Sequence, residues 1–375
     1  MQTLFLKCLY PKPNNSTLLC FFSSLSSLSH SCTSNPSLCN FLIETLAFSE
    51  PRAVSISNRF PPTKTLQKPL AVIQLLRQFG LSDIQIQSSV RVAPQILFSD
   101  VEKTLKPMLL FFQDLGLTGP ELGKFISKHS KILHDSLEKK WIPYIDMIKK
   151  TLVNDKNNQD LIKVLQKYRW VVSKPELKLK RSIAFLESCG IVGSQLSMLL
   201  RSKPGLFFQQ EPALRDLILR VLDMGFSVNS RMLVHAVHAV SGISGETFSR
   251  KFEMFRSFGF SMDECMDMFR RAPRILTTSE DNLKFKIDFF LNDIKLDRCA
   301  LVSGPNCLTY SMEKRVIPRY RVLQVIKSKR LLQKGPRFLS VLCLSEEEFL
   351  RKFISSFRDD GEVLLGTYKG NPLDS

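Results

Sequence analysis

One pattern recurs along this chain at intervals of about 35 residues. It is a glycine that is followed, fourteen residues later, by the start of a short apolar segment. Gly80 leads in this way to Pro94, and Gly259 leads to Pro273. These start positions, called slots below, are separated by 36, 38, 36, 35, 34 and 32 residues. The slots are Pro94, Ser130, Tyr168, Pro204, Ala239, Pro273 and Pro305. A period in this range is typical of stacked supersecondary units and therefore predicts a solenoid.

Each repeat is predicted to contain two helices joined by a tight turn. In the first repeat, Ser82 or Asp83 can cap a helix that ends near Val92, because a residue that precedes a proline disfavours the helical conformation. An apolar plug, residues 96–98, comes next. The second helix then carries an apolar stripe at helical spacing and ends at Gly116, which supplies a left-handed cap. Similar stripes of phenylalanine, such as Phe248, Phe252, Phe255 and Phe258, are predicted to be core and not base-stacking platforms.

The chain of 375 residues carries a formal net charge of +18 and has a pI near 9.6. Such a charge favours an anionic partner, with nucleic acid ahead of a membrane surface or an acidic protein. No apolar run is long enough to span a membrane. The nine cysteines form no C-x-x-C pair, and those after residue 43 are interpreted as small buried hydrophobes or reduced thiols.

Catalytic and metal-binding patterns are absent from the sequence. There is no G-x-S-x-G, no phosphate-binding Gly-Lys-Ser/Thr loop and no dinucleotide fingerprint, so no catalytic residue and no cofactor are predicted. His235 and His238 are three residues apart and could share a helix face, but no third ligand stands at a suitable spacing. We therefore interpret them as ordinary helix residues and predict a protein that is not an enzyme.

Residues 1–43 contain no Asp or Glu and are rich in serine, which is the composition of an organellar transit peptide. A secretory signal is the alternative, but serines interrupt the apolar run and the cysteines argue against export. We predict that this segment is disordered and removed. The charge without it is 51 − 35 = +16, so the basic character belongs to the folded part.

Basic residues recur near the end of the first helix of most repeats and again in the C-terminal repeat. If the repeats stack, these residues would form a positive stripe suited to a phosphate backbone. Capping of helix C-termini by Lys and Arg is the competing explanation for each one of them. The predicted nucleic-acid-binding residues are Arg91, Lys128, Lys131, Lys167, Arg169, Arg201, Lys203, Arg270, Arg271, Arg274, Lys314, Arg315, Arg319 and Arg321.

The recurrent proline slot with its Ile/Leu plug, the Leu-Gly or Phe-Gly before first helices, and the stretch 311–321 together resemble the mitochondrial transcription termination factor (mTERF) family. Residues 79–83 and 102–107 also resemble the first full repeat of plant members, and the match covers roughly residues 66–335. The resemblance implies an all-α, curved solenoid of about seven to eight helix–helix–3₁₀ repeats. It further implies a basic face for a nucleic-acid duplex and a role in organellar transcription, termination or RNA processing.

These observations predict four segments: a transit peptide over 1–43, a linker over 44–65, the repeat array over 66–335, and a C-terminal helix and tail over 336–375. The predicted protein is monomeric and acts by occupying organellar nucleic acid, with double-stranded DNA favoured and other gene-expression proteins as further partners. The sequence leaves open an RNA-binding splicing or stability factor and a helical protein scaffold. A pentatricopeptide-type reader is disfavoured, because no repeated pair of base-reading side chains is found. The mitochondrion is preferred on resemblance, with the chloroplast as the alternative.

Overall fold

The computed structural model describes residues 35–63, 65–167, 175–357 and 359–370. All regular structure in these ranges is helical, which confirms the all-α prediction. The chain divides into two compact parts, an N-terminal half that ends at Arg215 and a C-terminal half that begins at Asp216. The α-helices are α1 (Pro36–Leu46), α2 (Glu50–Ser57), α3 (Gln67–Gln78), α4 (Asp83–Val92), α5 (Lys106–Asp114), α6 (Gly119–Lys128), α7 (Ile142–Thr151), α8 (Gln159–Lys167), α9 (Pro175–Ser188), α10 (Gly193–Ser202), α11 (Glu211–Asp223), α12 (Arg231–Val240), α13 (Gly245–Ser257), α14 (Met262–Arg271), α15 (Glu280–Asp288), α16 (Arg298–Ser303), α17 (Ile317–Ser328), α18 (Phe338–Cys343), α19 (Glu346–Leu350) and α20 (Gly361–Lys369).

The first predicted repeat has the expected order of elements. α4 begins after Ser82, whose hydroxyl accepts a hydrogen bond from the Gln85 N–H while the Gln85 side chain accepts one from the Ser82 N–H. A 3₁₀ turn over Pro94–Phe98 follows and buries Ile96 and Leu97 completely. This turn packs against α3 of the preceding repeat. The plug residues therefore join neighbouring repeats.

The same 3₁₀ turn begins at four further slots, over Ser130–His134, Pro204–Phe208, Pro273–Thr277 and Pro305–Thr309. Ser130 takes the place of proline without changing the register, and its buried hydroxyl donates to the Ile126 carbonyl at 3.0 Å. The Ala239 slot is different, because α12 continues through it to Val240 and no 3₁₀ turn follows among the described residues there. Alanine keeps its N–H and has no ring to interrupt the helix. The prediction of an equivalent slot at Ala239 is thus corrected, and Tyr168 lies outside the described residues.

A residue with positive φ ends the second helix of each repeat. Glycine holds this position at Gly80, Gly116, Gly190, Gly225 and Gly259, with φ between 81° and 108°. Asn154, Lys295 and Arg330 hold it elsewhere, with φ of 61°, 60° and 53°. From Gly80 to Arg330 these positions are 36, 38, 36, 35, 34, 36 and 35 residues apart. The left-handed backbone is therefore a more regular mark of the repeat than glycine itself.

Helical structure begins before the predicted boundary at residue 43. Leu38 and Leu42 of α1 are fully buried, and α1 packs against α2 and α4. The Gln87 side chain donates hydrogen bonds to the carbonyls of Leu46 and Ala47 at 2.9 and 3.0 Å. Residues 36–43 thus form part of the helical array, and the expectation of disorder is corrected there. Residues 1–34 of the predicted transit peptide lie outside the described residues.

Three second helices open with a wide π turn, over Val101–Leu105, Leu137–Trp141 and Met312–Val316. Their capping residues, Asp100, Ser136 and Ser311, each accept a backbone N–H. A proline follows each cap by seven residues, at Pro107, Pro143 and Pro318. Proline cannot donate to the carbonyl four residues earlier, and its ring collides with that carbonyl in an α-helix. The wider turn gives the ring room, which explains its position in these three repeats.

The predicted apolar stripes form the core. Phe248, Phe252 and Phe255 of α13 are at most 9% exposed, so they are not available for base stacking. Burial raises the pKa of the Cys265 thiol to about 11 and that of the Cys307 thiol to about 12. These two cysteines fit the prediction of small buried hydrophobes, whereas Cys299 and Cys343 are exposed thiols.

Candidate nucleic-acid interface

The predicted basic residues lie at the ends of first helices, in the turns that follow them, and in α17 with the π turn before it. Their contacts divide them into three groups: those bonded to a neighbouring repeat, one that is buried, and those with no bonded partner. Arg169 lies outside the described residues. Each group has a different capacity to bind a phosphate.

Two lysines of the N-terminal half cap the next repeat. Lys128, at the end of α6, donates from Nζ to the Gln166 carbonyl of α8 at 3.2 Å. Lys167, at the end of α8, donates in the same way to the Arg201 carbonyl of α10 at 2.8 Å. These carbonyls belong to last helical turns, which lack intrahelical donors and carry the negative end of the helix dipole. The lysines therefore stabilise adjacent repeats, although both side chains remain exposed at the surface.

Three arginines of the predicted set also have partners inside the protein. Arg201 contacts Asp160 at 2.9 Å. Arg270 contacts Asp267 at 2.5 Å and donates to the Met224 carbonyl at 3.4 Å. The Arg315 side chain donates to the Leu342 carbonyl at 3.3 Å, and its guanidinium carbon lies 5.0 Å from the centre of the Tyr310 ring. Part of the hydrogen-bonding capacity of each arginine is already used.

Arg319 is buried, so its prediction as a nucleic-acid contact is corrected. Its side chain is 0% exposed. Its Nη1 donates to the carbonyls of Val341 and Leu344 at 2.8 and 2.9 Å, and its Nη2 contacts Glu346 at 3.1 Å. The guanidinium also lies 4.7 Å from the centre of the Phe349 ring. A guanidinium in this position supports the end of α18 and cannot reach a phosphate.

Sequence reasoning missed two buried lysines with the same role. Lys251 of α13 donates to the carbonyls of Leu276 and Thr278 at 2.5 Å, and Lys286 of α15 donates to Leu308 at 2.9 Å. Both lysines are 4% exposed, and burial lowers the pKa of each. Lys286 follows Lys251 by 35 residues, and Arg319 follows Lys286 by 33 residues. In the sequence, this role could have been recognised from a Lys or Arg that recurs at the repeat period within an apolar helix stripe.

The remaining predicted residues are candidates for direct phosphate contact. Within the described part of the chain, they make no hydrogen bond or ion pair through their side chains. Lys131 and Arg274 hold the same position, directly after the first residue of a 3₁₀ turn, in the N-terminal and C-terminal halves respectively. Both are exposed. The full group is Arg91, Lys131, Lys203, Arg271, Arg274, Lys314 and Arg321.

No group of three or more His, Cys, Asp or Glu side chains suitable for a metal ion occurs among the described residues. His235 and His238 both lie on α12, as the sequence predicts. None of the described helices is long and apolar enough to cross a membrane.

Comparison with known proteins extends the sequence resemblance. The family model for mTERF matches residues 73–235 and 232–350. Transcription termination factor MTERF8, chloroplastic, of Arabidopsis thaliana is 23% identical over 265 residues, which is 70% of this chain and 51% of that protein. Transcription termination factor MTERF15, mitochondrial, of the same plant is 25% identical over 213 residues, or 56% of this chain and 47% of the relative. Transcription termination factor 3, mitochondrial, of Mus musculus is 38% identical over 76 residues, or 20% of this chain and 17% of the relative. The chain thus spans about half the length of the two plant relatives.

Proposed function

This chain belongs to the mTERF family, and from that premise we propose that it binds organellar nucleic acid, with double-stranded DNA favoured, and regulates organellar gene expression. It acts by occupying its site, as in transcription termination, without catalysis. Bound to a duplex, it blocks or positions a polymerase. The relatives are named as transcription termination factors of chloroplast and mitochondrion, which supports an organellar role.

The observation that carries this proposal is the group of seven exposed or half-exposed cations that have no partner in the described part of the chain. Other surface arginines are paired, as Arg250 is with Glu246 and Glu280. The unpartnered cations leave the positive potential of a chain with charge +18 available to an anion. Cations spaced along a surface suit the phosphates of a nucleic-acid backbone, whose neutralisation supplies much of the affinity for DNA and RNA.

A second candidate is an RNA-binding factor for splicing or transcript stability, because phosphate contacts alone do not separate RNA from DNA. A protein scaffold is a third, and it predicts association that depends weakly on salt. The mitochondrion is the proposed compartment and the chloroplast the alternative, since relatives carry both labels.

Binding of the full chain to random duplex DNA, single-stranded RNA and structured RNA across a salt series tests the proposal. We expect the duplex to bind most tightly and the logarithm of affinity to fall steeply with the logarithm of salt, by about 0.9 for each phosphate neutralised. A preference for either RNA favours the second candidate. Flat or absent binding to all three contradicts nucleic-acid binding and favours the scaffold.

A further inference from the structure

Two arginines and a histidine come together in the C-terminal half, where α12 packs against the 3₁₀ turn Pro273–Thr277. Arg231 and His235 are four residues apart on α12, so they share one face of the helix. Arg274 is the second residue of the turn. The charges that act on His235 are those of Arg274 and Arg231. The cluster therefore combines residues from two different repeats.

Helix capping does not explain this arrangement. Arg231 is the first residue of α12, where the helix dipole is positive, and the first turn holds no acidic residue. A cation is unfavourable at that end of a helix. Arg231 and Arg274 are both exposed, and neither makes a hydrogen bond or an ion pair with another residue that the structure describes. The protein thus gains no evident stability from placing Arg231 there.

The surroundings of His235 are positive on both sides. Burial first, and then Arg274 and Arg231, lower the pKa of His235. On α14, which also packs against α12, Asp267 is bonded to Arg270. No carboxylate contributes to the shift of His235. An anion placed among these three groups would be attracted by both arginines and would favour the protonated form of His235.

We propose that Arg231, His235 and Arg274 form a binding site for a backbone phosphate of the nucleic acid. The inference rests on the proposed function and assigns part of its interface. It also gives a phosphate contact to the repeat that begins with α12, a helix that carries no Lys or Arg in its last turn. Here Arg231 lies at the opposite end of the helix, and Arg274 comes from the turn of the following repeat.

The double variant Arg231→Gln/Arg274→Gln tests the site. Its matched control is Arg250→Gln/Arg256→Gln, which removes the same charge from the same half but affects arginines already paired with Glu246, Glu280 and Glu253. Affinity of the full chain for random duplex DNA is measured by fluorescence anisotropy across a salt series. We expect the slope of log affinity against log salt to fall by about 2 in the test variant and to stay unchanged in the control.

Equal changes in slope in both variants would show that net charge alone matters and would overturn the site, while the proposed function would stand. Absence of salt-dependent binding by the wild-type chain would overturn both. Thermal unfolding of each variant checks that it is folded.

An independent measurement uses the wild-type chain with ¹³C-labelled histidine, the His235 signal being assigned with His235→Gln. A short duplex should shift this signal and raise the pKa of His235, because a phosphate stabilises the imidazolium. No response to the duplex overturns the proposal. A response to inorganic phosphate but not to the duplex does so as well, since it indicates a site for a free anion.

Discussion

The Nζ of Lys286 donates a hydrogen bond of 2.9 Å to the main-chain oxygen of Leu308, at the end of the 3₁₀ turn of the following repeat. Lys251 and Arg319 make the corresponding contacts one repeat earlier and one repeat later. In each case a cation buried among apolar side chains supplies the donor that the end of a short helical segment lacks. The charges face carbonyl dipoles and satisfy them without leaving the core.

Lys286→Met keeps the bulk of the side chain but leaves the Leu308 carbonyl without its donor, at a cost of about 1 kcal/mol in the free energy of unfolding. The cost should depend on pH. Burial lowers the pKa of Lys286 below its ordinary value of 10.5, so the unfolded chain binds more protons between the two values. Stability from this group therefore rises with pH up to about pH 10.5. Urea unfolding should show the stability of the wild type rising relative to that of the variant as the pH approaches 10.5 from below. Lys284→Met, which removes an exposed lysine of the same helix, controls for the loss of charge.

Arg319→Gln and Arg321→Gln should separate stability from binding, although the two residues are adjacent in the predicted set. Arg319→Gln strips buried carbonyls of their donor and is expected to lower the free energy of unfolding by about 3 kcal/mol. Arg321 is exposed, so its substitution should leave stability nearly unchanged and weaken duplex binding. Chemical denaturation and anisotropy titrations check both. Equal loss of affinity by the two folded variants would contradict the assignment.

Lys128 and Lys131 provide a second pair of this kind. Lys128→Gln removes a cap from α8 and should cost about 0.5 kcal/mol of stability with little effect on binding. Lys131 makes no side-chain hydrogen bond or ion pair in the described part of the chain, so Lys131→Gln should leave stability unchanged. The variant should reduce the slope of log affinity against log salt for duplex binding by about 1. A larger slope change for Lys128→Gln than for Lys131→Gln would show that the capping lysine is the phosphate contact.

Lys295→Gly should stabilise the protein by about 1 kcal/mol, because lysine at φ 60° occupies a backbone region that glycine enters without strain. Lys295→Ala removes the same charge but keeps the strain, so it serves as the control. The difference between their melting temperatures measures the backbone effect alone. If the two variants melt together, the left-handed conformation at this position carries no measurable strain.

Most of the correct predictions about the fold came from the positions of glycine and proline, which mark where helices end. Where Gly80 and Pro94 both occur, the helix cap, the helix end and the position of the apolar plug were predicted correctly, whereas the 3₁₀ form of the plug was implied only by the family resemblance. The repeat was harder to follow where Lys295 and Arg330 hold the left-handed position, because neither residue type favours it. At Ala239 the expected turn is missing, since spacing alone does not force a helix to end.

The candidate interface was less predictable, because sequence period does not tell which way a side chain points. Arg319 and Arg321 are two residues apart on one helix, and only the packing of α18 and α19 distinguishes the buried arginine from the exposed one. Lys251 lies three residues from Phe248 and four from Phe255, so it shares their helix face. Its burial in the core stripe could therefore have been predicted. The capping contacts of Lys128 and Lys167 could not be predicted, because the sequence does not show which helix end lies beside each lysine.

The lysine-to-carbonyl contacts of the N-terminal half run in one direction, from α6 to α8 and from α8 to α10. The end of α8 therefore receives a donor from α6 and supplies one to the end of α10. Such nearest-neighbour coupling raises the cooperativity of an array, because opening one repeat exposes unsatisfied groups in the next. These two surface lysines therefore favour joint melting of the repeats that they connect over the fraying of single repeats.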